Sequence, residues 1–152
     1  TGLAEPAPRL SVASIDQLEK PLPYPYEKNA NASAAVAAAQ ARAKASHRLM
    51  LIDFGGNWCP DCRVLAGVMR VPAVAQFLAR HYEIVIVDIG RMDRNLQILS
   101  HYGVNRPDGV ASVLIVDPDS DRVLNRDHVF ALADARSMQP QALADWLAQW
   151  TD

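Results

Sequence analysis

Apolar residues are distributed along this chain in two rhythms. Three short runs, RLMLIDF at Arg48–Phe54, IVIVDI at Ile84–Ile89 and SVLIVD at Ser112–Asp117, carry apolar side chains at consecutive positions, as expected of strands covered on both faces. Elsewhere the pattern is helical. NASAAVAAAQARAKASH, Asn31–His47, has an alanine-dominated body with Asn31 or Ser33 placed to cap it, which predicts a first helix. Pro60–Met69 and Val71–His81 predict an interrupted helical stretch, with Pro72 suited to a first turn and separating the two parts. Asp93 is placed to cap a helix running through Ser100, and DPDSD at Asp117–Asp121 predicts a hairpin leading into RVLN. Leu143, Trp146, Leu147 and Trp150 recur at i, i+3, i+4 and i+7, predicting a closing helix over Gln139–Trp150 packed along one face. The order of these elements predicts a three-layer α/β fold around a central mixed β-sheet.

Residues 1–28 break this rhythm. They hold five of the ten prolines, including PLPYPY at Pro21–Tyr26, and read as an extended arm, because each proline fixes φ and removes a backbone donor. Tyr24 and Tyr26, two residues apart, are expected to project to one side and pin the arm to the body. Residues 29–152, including the alanine-rich helix, then form a single domain. A 152-residue chain that is 50% apolar and 21% charged has enough material for one core. The formal net charge of -2 and a pI near 6.0 supply no basic field for nucleic acid or anionic lipid, so neither is expected as a partner. The apolar runs are too short to span a bilayer. The opening TGLAEPAPRL, starting at Thr1, predicts a segment left after removal of an export signal, hence a periplasmic or otherwise exported protein, with a trimmed cytoplasmic chain as the alternative.

The only two cysteines lie in GGNWCPDCR, Gly55–Arg63. Cys59 falls where the first strand gives way to a helix, so first-turn N–H groups point at its sulfur and favour the thiolate. Cys62 is about one turn further on, within bonding reach and more enclosed. This arrangement suits an attacking outer sulfur and a resolving inner one. A passive disulfide explains the pair poorly, since closing so small a loop contributes little chain-entropy stabilisation.

LMLIDFGGNWCPDCR resembles the active-site strand, loop and helix of the thioredoxin superfamily, with Trp58 immediately before the first cysteine, and the resemblance continues from Leu49 to Trp150. It implies a thioredoxin-like fold and thiol–disulfide exchange on disulfide-containing proteins or small thiols. It also implies a redox partner that resets the pair, and no cofactor. Asp53, six residues before Cys59, matches the family's buried aspartate, which implies a raised pKa and a part in proton transfer to or from Cys62. Trp58, Pro60, Asp61, Val110 and Ala111 are the implied substrate-facing residues.

Two features depart from the family. Ala111 stands where a cis-proline is usual, and a cis bond before a non-proline residue costs about 3 kcal/mol, so the Val110–Ala111 peptide is expected to be trans and its loop altered. Asp61 stands where strongly oxidising members carry histidine. Its negative charge opposes a Cys59 thiolate and leans the chemistry toward reduction or isomerisation.

Two other readings of the cysteines stay open. A pair supplies half of a four-ligand site, so two chains could share a metal or iron–sulfur cluster, whereas His47, His81, His101 and His128 are too scattered to complete one within a chain. Alternatively, the domain is a redox-inactive binding or chaperone module presenting Trp58. Trp146 and Trp150 read as core, and Arg91, Arg94 and Arg106 as a solvated face. Gly55 and Gly56 read as positions where the loop approaches the helix start closely.

Overall fold

The computed structural model describes residues 5–151; the first four residues of the expected arm and Asp152 lie outside them. Nine regular elements follow one another: α1 (Ala32–Ser46), β1 (Leu49–Gly55), α2 (Pro60–Met69), α3 (Pro72–His81), β2 (Tyr82–Asp88), α4 (Leu96–His101), β3 (Ser112–Asp117), β4 (Arg122–Val123) and α5 (Pro140–Ala148). The strands are ordered β2-β1-β3-β4, with β1 parallel to β2 and antiparallel to β3. The sheet is mixed and flanked by helices, the thioredoxin-like α/β arrangement.

The three apolar runs lie at the centre of this layer. All of β1 except Leu49 is buried, as is all of β3 except Asp117. In α1 the buried positions are Ala32, Val36, Ala39 and Ala43. Their small side chains let the helix approach β1 and β2 closely. Asn31 caps α1 by accepting from Ala34 N at 3.1 Å, and Pro72 opens α3 at an 83° bend from α2. No single helix among the described residues is long and apolar enough to cross a membrane.

Where the sheet runs out, a side chain continues it. Beyond the two residues of β4, the buried Asn125 amide donates to Val113 O and accepts from Ile115 N, both at 2.8 Å. It supplies β3 with the partners a longer strand would have provided.

Three expectations are corrected. The Val110–Ala111 peptide is cis. Ala111 is fully buried, Ser112 Oγ donates to Gly109 O at 2.6 Å, and Ser112 pairs with Phe54 at the start of β3, so tertiary packing overrides the local preference for trans. The fourth helix starts at Leu96 rather than after Asp93. Asp93 Oδ1 is engaged by Arg91 N at 3.1 Å, and Asn95, at φ 56°, precedes the helix. Tyr24 and Tyr26 diverge: Tyr24 is 63% exposed and Tyr26 only 3%. Prolines on either side favour a threefold polyproline twist, in which residues two apart point differently.

Replacing Asn125 with alanine strands two buried backbone groups. Asn125→Ala is expected to lower unfolding free energy by about 2–4 kcal/mol, measurable by urea denaturation with an unchanged m-value.

Candidate active site at the cysteine pair

The loop after β1 delivers Cys59 to the N-cap of α2, and Pro60 takes the first helical position, where its missing N–H costs nothing. Cys59 Sγ accepts from Cys62 N at 3.2 Å, and its thiol faces Val110 O at 3.6 Å. Both cysteines are free thiols, Cys59 nearly buried and Cys62 completely so. A hydrogen bond from the Cys62 side chain, aided by the backbone N–H groups of Cys62 and Asp61, lowers the Cys59 pKa to about 7, against burial and the Asp61 charge. Cys62 is pushed the opposite way, by the proton it shares with Cys59 and by burial. One sulfur is therefore ready as thiolate while the other keeps its proton.

The surroundings divide into a mouth and a floor. At the mouth Trp58 is 41% exposed, its Nε1 donates to Gly90 O at 2.7 Å, and Arg91 lies 5.0 Å over its ring. Asp61 is not a free charge: its Oδ1 accepts from Arg136 N at 2.9 Å and Nε at 3.2 Å. Arg136 lies in the short 3-10 turn Ala135–Ser137, against α2. It draws the carboxylate away from full effect on Cys59, which nothing near the CPDC motif in the sequence signals.

At the floor Asp53 is completely buried in β1, and burial raises its pKa to about 7 against the hydrogen bond it receives from Tyr26 Oη at 2.6 Å. Its second oxygen, Oδ2, has no partner among the described residues. Gly55 separates the floor from the sulfurs. A Cβ there would stand 2.6 Å from Tyr26 Oη and 2.7 Å from Cys62 Sγ, so only glycine leaves room for that approach. Gly56 is similarly confined by Trp58 and Gly90.

The structure thus brings Asp53, Trp58, Cys59, Pro60, Asp61, Cys62 and Val110 to one place, and Ala111, next to Val110 in the chain, is fully buried. Tyr26 and Arg136 join them from distant sequence. Arg91 and Arg94 are not a plain solvated face: Arg91 covers Trp58, and Arg94 Nη1 bonds Asp88 Oδ2 at 3.2 Å and Lys28 O at 3.0 Å. Arg106 is exposed, and Trp150 is half-buried against Trp146. Among the described residues no three His, Cys, Asp or Glu side chains are arranged to hold a metal within one chain.

Two outcomes follow from these charges. Arg136→Ala frees the Asp61 charge and raises the Cys59 pKa, whereas Asp61→Asn lowers it. Iodoacetamide alkylation of Cys59 at pH 6 is expected to slow and to quicken respectively, by about 3- to 10-fold. For Asp53, the folded protein keeps a proton between pH 3.8 and about 7 that the unfolded chain has released. Stability therefore falls as pH rises through that window and levels off above it. Relative to wild type, reduced Asp53→Asn is expected to gain up to about 4 kcal/mol between pH 4 and pH 8 in urea titrations.

Residues 31–118 match the profile of the thioredoxin-like family. The disulphide isomerase from Xylella fastidiosa Temecula1 superposes with a TM-score of 0.80 at 37% identity, over 86% of this chain and 99% of that one. The oxidised C-terminal domain of DsbD from Neisseria meningitidis is 23% identical over 62% of this chain and 83% of that domain, with a TM-score of 0.46. No curated protein matches the chain. A family profile that covers more than half of the sequence, and a relative 37% identical along almost its whole length, settle the affiliation: this chain belongs to the thioredoxin-like family.

Proposed function

We propose that this protein is a thiol–disulfide oxidoreductase that reduces or isomerises protein disulfides through Cys59 and Cys62. The observation that carries this reading is the opposed state of the two sulfurs. Cys59 is held toward thiolate at a helix N-terminus, and Cys62 is held as thiol beside a buried carboxyl group.

The Cys59 thiolate attacks one sulfur of a substrate disulfide. That S–S bond breaks, the leaving sulfur departs with the electron pair, and a mixed disulfide joins Cys59 to the substrate. Cys62 then gives up its proton and attacks Cys59 Sγ. A Cys59–Cys62 disulfide forms and the second substrate sulfur is released, so two electrons have passed to the substrate. In isomerisation a different substrate cysteine thiolate attacks the substrate sulfur of the mixed disulfide instead, a new substrate disulfide forms, and Cys59 leaves as thiolate, so the pair ends reduced. Asp53 takes part in the Cys62 proton step, while Trp58, Pro60, Asp61 and Val110 shape the surface a client meets, with the fully buried Ala111 next to Val110 in the chain.

The residual charge of Asp61 disfavours a strongly oxidising pair, which supports the reductase or isomerase direction. The isomerase from Xylella fastidiosa supports the same choice. An exported, oxidising setting suits the chemistry, because client disulfides persist there. A separate dithiol partner would then return the pair to its reduced state.

Cys59→Ser is expected to abolish dithiothreitol-coupled insulin reduction. Cys62→Ala is expected to keep the first attack and accumulate a mixed disulfide visible by mass spectrometry. The wild-type pair is expected to titrate reversibly in glutathione buffers near or below about -200 mV. Unchanged insulin reduction in Cys59→Ser, or stoichiometric zinc or iron on the cysteines of the purified protein, would overturn the reading.

A further inference from the structure

Tyr26 belongs to the N-terminal arm, yet its hydroxyl lies among the reacting groups. Asp53 has no hydrogen bond to Cys62 among the described residues; its one side-chain partner is Tyr26 Oη, at 2.6 Å. That same oxygen and Cys62 Sγ flank the space left by Gly55, where a Cβ would stand 2.6 Å from the one and 2.7 Å from the other. On these contacts we infer that Tyr26 is a catalytic proton relay between Cys62 and Asp53, so that the arm is part of the active site. The inference rests on the oxidoreductase reading and deepens it.

The arm is built to hold this hydroxyl still. Asn57, in the loop before Cys59, pairs with both backbone groups of Tyr26, accepting from its N at 3.0 Å and donating to its O at 2.8 Å. From α2, Arg63 bonds Pro23 O at 3.2 Å and Leu22 O at 2.9 Å and lies 3.8 Å over the Tyr24 ring, and Arg70, which caps the helix C-terminus, bonds Pro21 O at 3.2 Å. These contacts tie the arm to the helix that carries Cys62.

The proton path balances. In the mixed disulfide, the Cys62 S–H proton passes to Tyr26 Oη as the Tyr26 O–H proton passes to Asp53. This leaves a Cys62 thiolate, a neutral tyrosine and a carboxylic acid. The thiolate attacks Cys59 Sγ, and the substrate sulfur leaves with the bonding pair. Because the phenol gives one proton as it accepts another, it never becomes phenolate, which its burial and the nearby Asp53 charge disfavour. The proton arrives at Asp53 Oδ1, the oxygen that already accepts from the Tyr26 hydroxyl. Asp53 borders a cavity of about 230 Å³ between Pro23 and Pro25 of the arm and Ala66 and Met69 of α2.

The other charges facing this part of the arm are engaged or distant from the exchange. Arg63 of α2 binds arm carbonyls, and Arg94 joins Asp88 at the end of β2 to Lys28 O. Asp93, Arg91 and Lys28 line the outer cleft beside Tyr26, with Asp93 held by Arg91 N. Cys59 is already spent in the mixed disulfide when the relay acts.

Reduced protein reacting with 5,5′-dithiobis(2-nitrobenzoate) separates the steps, because Cys59 attack releases the first thionitrobenzoate and Cys62 attack the second. Tyr26→Phe is expected to leave the first phase unchanged and to slow the second by about 10- to 100-fold near pH 7. Asp53→Asn should slow it likewise, and the double variant no further. 3-Fluorotyrosine at position 26 keeps the ring and hydroxyl, guards against a folding defect, and is expected to move the pH profile of the second phase to lower pH. A second phase with wild-type rate and pH profile in both Tyr26 variants overturns the relay while leaving the dithiol reading intact. Loss of thermal stability in Tyr26→Phe with unchanged release would make the residue structural and also overturn it. Failure of the wild type to show a Cys59-dependent first phase would remove both readings together.

Discussion

An aspartate at the centre of a fully covered strand has no water to stabilise its charge, and the arrangement around Asp53 follows from that constraint. Isolated ionised carboxylates are so costly in such surroundings that the group takes up a proton instead. Here the pKa rises to about 7, and Tyr26 supplies a hydrogen bond that limits the rise. A group on the edge of protonation near neutrality can accept a proton and release it again. A surface aspartate, ionised throughout the neutral range, would do neither well.

Each neighbour can be understood from what that carboxyl requires. Gly55 leaves the space through which the tyrosine and the inner sulfur approach one another. Asn57 and the arginines of α2 fix the arm that brings the tyrosine. The fold therefore uses a segment outside its regular layers to complete the polar interior of its central strand.

The mouth of the site is governed by a different problem, a half-buried negative charge close to a sulfur that must ionise. Asp61 opposes the Cys59 thiolate, and Arg136 shares the carboxylate. The pair is partly solvated, so it adjusts the balance between thiol and thiolate without dominating it. The backbone N–H groups at the start of α2 and the Cys62 proton supply the main support. Floor and mouth thus act on different sulfurs.

Much of this architecture was legible in the sequence wherever the cause was local. The three apolar runs, the alanine-rich helix with its Asn31 cap, the break at Pro72 and the placing of Cys59 at a helix start all arise from residues a few positions apart. The family motif added Asp53. The start of α4 was missed because the Asp93 side chain, equally suited to a cap or a loop, is taken by Arg91 N. What the sequence by itself determined was the set of elements and the placing of the two cysteines one turn apart at a helix start, because chain connectivity and helix geometry dictate them. Only the tertiary structure decided the cis Val110–Ala111 peptide, the divergence of Tyr24 from Tyr26, the pairing of Asp61 with Arg136 and the meeting of Tyr26 with Asp53. Each of these depends on groups 27 or more residues apart, or on packing from several elements at once, and no local pattern records which distant side chain the folded core will bring alongside.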